Sequence, residues 1–168
     1  DIEIRNNIVM YLAIKWAKEQ NSTGMITGDG ADELFAGYSF LINKPKEELE
    51  KEIHRVCAVM HFPTQKIGKA LGIEVESPFL DEKIIEFSKT IPSEFKVRNE
   101  DAKKYGKWIL RKTFEKYIPM QIAWREKSPM QDGAGTVGLT NLFDSVINDQ
   151  LFLEKKKKIL ESDGVTIR

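Results

Sequence analysis

Thr27-Gly28-Asp29-Gly30-Ala31-Asp32-Glu33 is the stretch that decides the fold of this chain. Met25-Ile26-Thr27 leads into it and reads as a short strand, closed by Gly28-Asp29-Gly30. Residues 31–36 then read as a short helix that Gly37 ends. Upstream, Ile4, Ile8, Tyr11, Leu12 and Trp16 recur at helical spacing, and Asn21-Ser22-Thr23-Gly24 stops that helix. Helix, strand, glycine turn and helix in this order is the pattern of a parallel α/β fold. A parallel strand needs neighbours on both sides, so the remaining strands are expected before Asp1 or in another chain.

In open α/β sheets ligands bind beyond the carboxyl ends of the strands, which is where this turn falls. Glycines let the backbone bend sharply and let a ligand come close, and the first N–H groups of the next helix attract an anion. Yet the turn carries three carboxylates, Asp29, Asp32 and Glu33, which repel phosphate. A hard cation between them resolves the conflict, because Mg²⁺ takes one or two carboxylates together with phosphate oxygens. The alternative stays open: Asp29 caps the helix, and Asp32 and Glu33 merely suit its dipole.

After Pro45 the chain turns mainly helical. The spacing predicts helices over 46–60 and 63–71, the second stopped by Gly72. Residues 74–77 are extended, Pro78 keeps them so, and Asp81 can cap a helix running to Lys89. A polar loop over 99–104, a helix over 105–117 and a Gly/Pro-containing loop over 128–138 follow, with two last helices near 139–148 and 150–161.

The 168 residues are 41% hydrophobic and 31% charged, ordinary values for a globular chain with a real core. Lys and Arg number 26, as do Asp and Glu, and this balance argues against a general nucleic-acid or membrane binder. No apolar run approaches the roughly 20 residues that span a bilayer. A single cysteine, Cys57, allows no internal disulfide and fits a reducing, cytoplasmic setting. Cys57 sits inside a helical pattern as a core residue, and His54 and His61 have no second ligand at metal spacing. The first residue is Asp1, which reads as the start of a piece of a longer protein.

Three segments together resemble one family. Gly28 to Tyr38 resembles the asparagine synthetase pattern S-G-E/D-G-S/A-D-E-x-F-G-G-Y. Glu74-Val75-Glu76-Ser77-Pro78-Phe79-Leu80-Asp81 resembles E-x-R-x-P-F-L-D. Lys107-Trp108-Ile109-Leu110-Arg111, then Trp124-Arg125-Glu126-Lys127 and Asp132-Gly133-Ala134-Gly135, resemble K-x-I-L-R, W-R-x-K and D-G-x-G. Three matches in the family's order outweigh one glycine turn. β-Lactam synthetase shares the architecture and is a possible relative.

The resemblance implies an α/β fold: residues 1–168 would be the C-terminal, mainly helical portion of an adenine nucleotide alpha hydrolase-like (PP-loop) parallel-sheet domain. It implies a ligase of asparagine biosynthesis, using ATP and Mg²⁺. ATP adenylates the aspartate side-chain carboxylate, pyrophosphate leaves, and ammonia, free or glutamine-derived, attacks the acyl-adenylate. Such chemistry asks mainly for charge handling around phosphate oxygens. By similarity Lys127 would stabilise charge on the α-phosphate and Asp29 would occupy the family's acidic catalytic position. Gly28 and Gly30 would border substrate, Asp32 would hold Mg²⁺, and Asp81 would lie near the amino acid unless it only caps its helix. Lys107 and Arg111, four apart on one predicted helix, read as a solvated face, with an extension of the anion site as the alternative. Tyr38 would bond a carboxylate such as Glu74 or Glu76, or serve packing alone. Cys57 cannot be the N-terminal nucleophile of the family's glutaminase domain.

The sequence also departs from the pattern. The S-G-G-x-D-S loop that grips ATP is not in it, so the isolated chain is expected to be inactive. Glu76 stands where the family has arginine, and Met60-His61-Phe62-Pro63-Thr64-Gln65 lacks its D-x-x-R, which opens the choice of acid substrate. The other reading is a non-catalytic helical module that binds a partner, or a subunit that needs a separate ATP-binding or glutaminase chain. A homo-oligomer fits either.

Overall fold

A computed structural model describes residues 2–135 and, beyond them, residues 150, 153–154 and 157–158, all of these last in helical conformation. The helix expected over 139–148, and most of that over 150–161, lie outside the described residues. The chain divides into two units, residues 10–127 and residues 1–9 with 128–168. Helix α1 covers Ile2–Glu19.

In the larger unit β1, Gly24–Ile26, pairs in parallel with β2, Glu74–Glu76, in the register Gly24–Glu74, Met25–Val75 and Ile26–Glu76. Between them lie α2 (Ala31–Leu34), α3 (Ser39–Ile42), α4 (Lys46–Val59) and α5 (Thr64–Leu71). Asn21 with φ 60° and Gly72 with φ 71° end α1 and α5 in the left-handed conformation that suits helix C-termini. A turn of 3₁₀ helix at Pro78–Leu80 leads to α6, Glu82–Thr90, and α7 covers Ser93–Lys96.

The sequence suggests one strand; the described residues hold four, in two pairs. The second pair is a hairpin, β3 (Val97–Glu100) with β4 (Lys103–Gly106), occupying most of the predicted polar loop and the start of the predicted 105–117 helix. Asp101 and Ala102 turn it with φ 47° and 64°, the two-residue turn whose twist matches that of the strands. Helix α8 is therefore Trp108–Phe114, followed by α9, Met120–Ala123. In the smaller unit α10, Met130–Gly133, replaces part of the loop expected over 128–138.

Ala36, Leu41, Leu49, Ile53 and Val97 form a buried cluster, with Tyr38, Ile42 and Cys57 against it. It joins the end of α2 to α3, α4 and the hairpin, so the residues after the glycine turn are anchored in core. Opposite charges tie the hairpin to α8. Glu100 accepts from Trp108 Nε1 at 2.8 Å and Lys112 Nζ at 2.9 Å, and the Arg98 guanidinium lies 4.8 Å over the Trp108 ring.

Candidate functional site

The turn that follows β1 is held from both sides. Thr27 N–H donates to Glu76 O at 2.8 Å, and the buried hydroxyls of Thr27 and Ser77 meet at 3.0 Å, so the carboxyl ends of β1 and β2 are clasped together. Gly30 adopts φ 90° and packs so closely on Leu80 that a Cβ would lie 2.6 Å from Leu80 Cδ2. Nothing lies within 4 Å of where a Gly28 Cβ would be, which leaves that backbone open to a ligand.

The two functional readings of the acidic residues separate here. Gly30, not Asp29, is the N-cap of α2, and no side chain caps it. A helix of four residues sums few peptide dipoles, so the expected attraction of an anion to its start falls away. Asp29 is half-buried, and its Oδ2 has no hydrogen-bond partner.

Asp32 meets two lysines. Lys127 Nζ stands 2.7 Å and Lys107 Nζ 3.0 Å from the same oxygen, Oδ1, with the three side chains about a third exposed or less (27% for Asp32, 28% for Lys107, 32% for Lys127). Both contacts are ion pairs at close range. Burial pushes the Asp32 carboxyl up, and Lys107 and Lys127 together more than reverse this, holding it below the usual carboxylate range. Two cations facing one anion leave this trio with a net positive charge.

Backbone geometry delivers both lysines. Lys107 sits between β4 and α8 with φ 54°, and its N–H donates to Phe35 O at 2.9 Å, joining it to the end of α2. Gly106 lies so close to Ala36 that a Cβ would be 2.1 Å from Ala36 O. At Gly37 a Cβ would be 1.8 Å from Asp32 Oδ1 and 2.3 Å from Lys107 Cε, so the ion pair rests on bare backbone. Arg111 positions the approach to Lys127: its Nη1 donates to Ala123 O at 2.7 Å and Arg125 O at 2.9 Å, and its Nε to Gly106 O at 3.0 Å. Neither Lys107 nor Arg111 belongs to a solvated face, and they do not act alike. Lys107 precedes α8 rather than lying within it as the spacing predicts, while Arg111, half-buried, spends its donors on carbonyls.

Tyr38 does not bond Glu74 or Glu76, both of which are exposed on β2. Its hydroxyl donates to Oε1 of Glu33, a residue buried on α2. Burial and then the Glu33 carboxylate push the phenol above its ordinary value. The ring lies 4.6 Å beneath Lys127 Nζ and stacks with Phe40 at 5.5 Å. Sequence spacing gave no sign of this: Glu33 and Tyr38 lie five apart across the end of a helix, outside the three- and four-residue spacings that pair side chains.

The structure thus brings Asp32, Lys107, Lys127 and Tyr38 together. Asp81 caps α6, accepting from Lys83 N–H at 2.9 Å on its exposed side chain. Among the described residues no three Asp, Glu, His or Cys side chains cluster as a metal cage. Cys57, a free thiol, is partly buried against the core, and burial pushes its pKa up.

Comparison with known proteins gives the same direction. The family model described as asparagine synthase matches residues 2–55 and 42–165. An "Asparagine synthetase [glutamine-hydrolyzing]" of Triphysaria versicolor is 33% identical over 141 residues, covering 79% of this chain and 24% of that protein. An "Asparagine synthetase B [glutamine-hydrolyzing]" of Escherichia coli is 33% identical over 137 residues, with the same two shares. A "Probable asparagine synthetase [glutamine-hydrolyzing]" of Dictyostelium discoideum is 30% identical over 169 residues, covering 91% of this chain and 30% of that protein. The chain spans about a quarter of the length of these curated relatives.

Proposed function

The chain belongs to the asparagine synthase family, and from that premise we propose that residues 1–168 form the C-terminal part of the synthetase domain of an ATP-dependent, amide-forming ligase. The whole domain is then of the PP-loop, adenine nucleotide alpha hydrolase-like kind. Ile26 on β1 is 71% exposed, and Tyr11, Leu12 and Trp16 on α1 are exposed as well, which supports further packing against these elements. No helix among the described residues is long and apolar enough to cross a membrane. A cytoplasmic setting agrees with the free thiol of Cys57.

The observation that carries the reading is the trio of Asp32, Lys107 and Lys127 beyond the carboxyl end of β1. Its surplus positive charge suits a polyphosphate. In the reaction, the side-chain carboxylate of aspartate, or of a related acid, attacks the α-phosphorus of ATP and pyrophosphate leaves. Ammonia, glutamine-derived, then attacks the acyl carbon, and AMP leaves as the amide forms.

Lys127 is a mobile point charge that can turn from Asp32 to an α-phosphate oxygen as charge grows there. Lys107, fixed by its backbone at the end of α2, can take a neighbouring phosphate oxygen. As the lysines turn away, Asp32 becomes free for a cation. Asp29, with an unpartnered buried oxygen, and Asp32 fit a Mg²⁺ that arrives on the polyphosphate, since such an ion needs only one or two carboxylates. When bound, Mg²⁺ supplies neutralising charge to the phosphates. The bare face at Gly28 lets substrate approach the backbone, and Asp81, which follows β2 after the 3₁₀ turn, would lie near the amino acid.

ATP–pyrophosphate exchange by the full-length protein, with a panel of carboxylic amino acids, tests this. Exchange that depends on aspartate or one related acid is expected, collapsing in Lys127→Ala and Asp32→Ala. A folded wild type that exchanges with none of the acids would overturn the ligase assignment in favour of a binding module.

A further inference from the structure

Lys127 has two anchors. One is Asp32, 2.7 Å away; the other is the face of Tyr38, 4.6 Å away. The first is conditional, because an ion pair with Asp32 is lost whenever that carboxylate serves another charge. The second makes no such demand, since a ring face attracts a cation without using a lone pair. Tyr38 is itself fixed: its hydroxyl donates to the buried Glu33, and Phe40 stacks with its ring. Glu33 is 7% exposed and has no role in the Asp32 trio. Its bond to the phenol holds the ring and moves electron density into it, which strengthens the pull on a cation above.

We propose that Tyr38, oriented by Glu33, is a positioning residue for Lys127, holding the ammonium over the site after Asp32 has turned to another partner; the functional part of this rests on the polyphosphate reading above. The hydroxyl of Tyr38 then touches no substrate, and its ring does the work. A cation over an aromatic face is worth about two- to thirtyfold in an equilibrium constant, enough to keep a long flexible side chain in one place.

The test is NMR of the protein with its lysines reductively methylated with ¹³C-formaldehyde, the Lys127 resonance being assigned from Lys127→Arg. A methyl above a ring face resonates upfield of solvated lysine methyls. The Lys127 signal is expected upfield in wild type, retained in Tyr38→Phe, shifted less in Glu33→Gln, and coincident with solvated lysines in Tyr38→Leu. A wild-type Lys127 signal among the solvated lysines overturns the proposal without recourse to any variant. So does an unmoved signal in a folded Tyr38→Leu, while an unmoved signal in Glu33→Gln removes Glu33 from it. Magnesium pyrophosphate is then titrated into the same sample. The ring shift should persist as the signals of Lys107 and Lys127 respond, and its loss at saturation overturns the anchoring role. No response from either lysine, with the ring shift intact, sinks the polyphosphate reading and leaves the ring's hold on Lys127 established.

Discussion

The two strand pairs of the larger unit treat charge in opposite ways. Around the antiparallel hairpin opposite charges and rings are paired: Glu100 accepts from Trp108 and Lys112, Lys103 pairs with Glu126, and Arg98 lies over the Trp108 ring. Beyond the parallel pair the matches fail. Two ammonium groups share one oxygen of Asp32, and Asp29 keeps a buried oxygen without a donor. Matched charges hold a scaffold together. Unmatched ones, fixed by the same backbone, mark a candidate functional site, since perturbed charges gather where proteins handle ligands.

The contrast is open to direct attack. The largest effect is expected from Lys127→Ala, about 10²–10³-fold in ATP–pyrophosphate exchange, with an unchanged melting temperature because Lys107 still pairs with Asp32. A melting temperature that falls along with exchange would make this lysine part of the scaffold and erase the difference between the regions. Gly106→Ala attacks the junction of the two. Its Cβ would meet Ala36 O, a backbone atom with little room to move, so urea denaturation should show a loss of about 1–3 kcal/mol. Asp81→Ala removes a helix cap and should cost about 1 kcal/mol in thermal unfolding. A larger loss of exchange than of stability would move Asp81 from the scaffold to the substrate. The smallest effect is expected at Glu100, whose carboxyl Lys112 and then Trp108 hold below its ordinary value. A lowered folded value adds stability above the unfolded pKa, and that stability fades as pH falls through the folded value. The stability gap between wild type and Glu100→Gln should therefore be widest near neutrality and close in acid. A gap that grows in acid would show that the hairpin's charges are not matched after all.

The glycine turn was legible because its residues do jobs that few others can: Gly30 is left-handed and Gly28 is bare. The stop at Gly72 and the cap at Asp81 were legible for the same reason. The hairpin was not. Val-Arg-Asn-Glu and Lys-Lys-Tyr-Gly show no alternation of apolar and polar residues, and Asp101-Ala102 lacks the glycine that marks most such turns. Missing the hairpin displaced Lys107 into a helix and hid its left-handed backbone, and with it the reason that Lys107 and Arg111 part company. The proximity of Lys127 to Asp32 was expected from the family resemblance. Its perch on Tyr38, and the grip of Glu33 on that ring, depend on how α2 ends against the core, which no local spacing records.

Gly37 offers a gauge that needs no laboratory. Any side chain there would occupy the space of the Asp32 carboxylate and of the Lys107 stem. A homologous gene encoding a larger residue at this position must have given up the carboxylate–lysine contact, whatever else of the motif it retains. One codon therefore offers a way to sort intact relatives from those that have drifted to another trade.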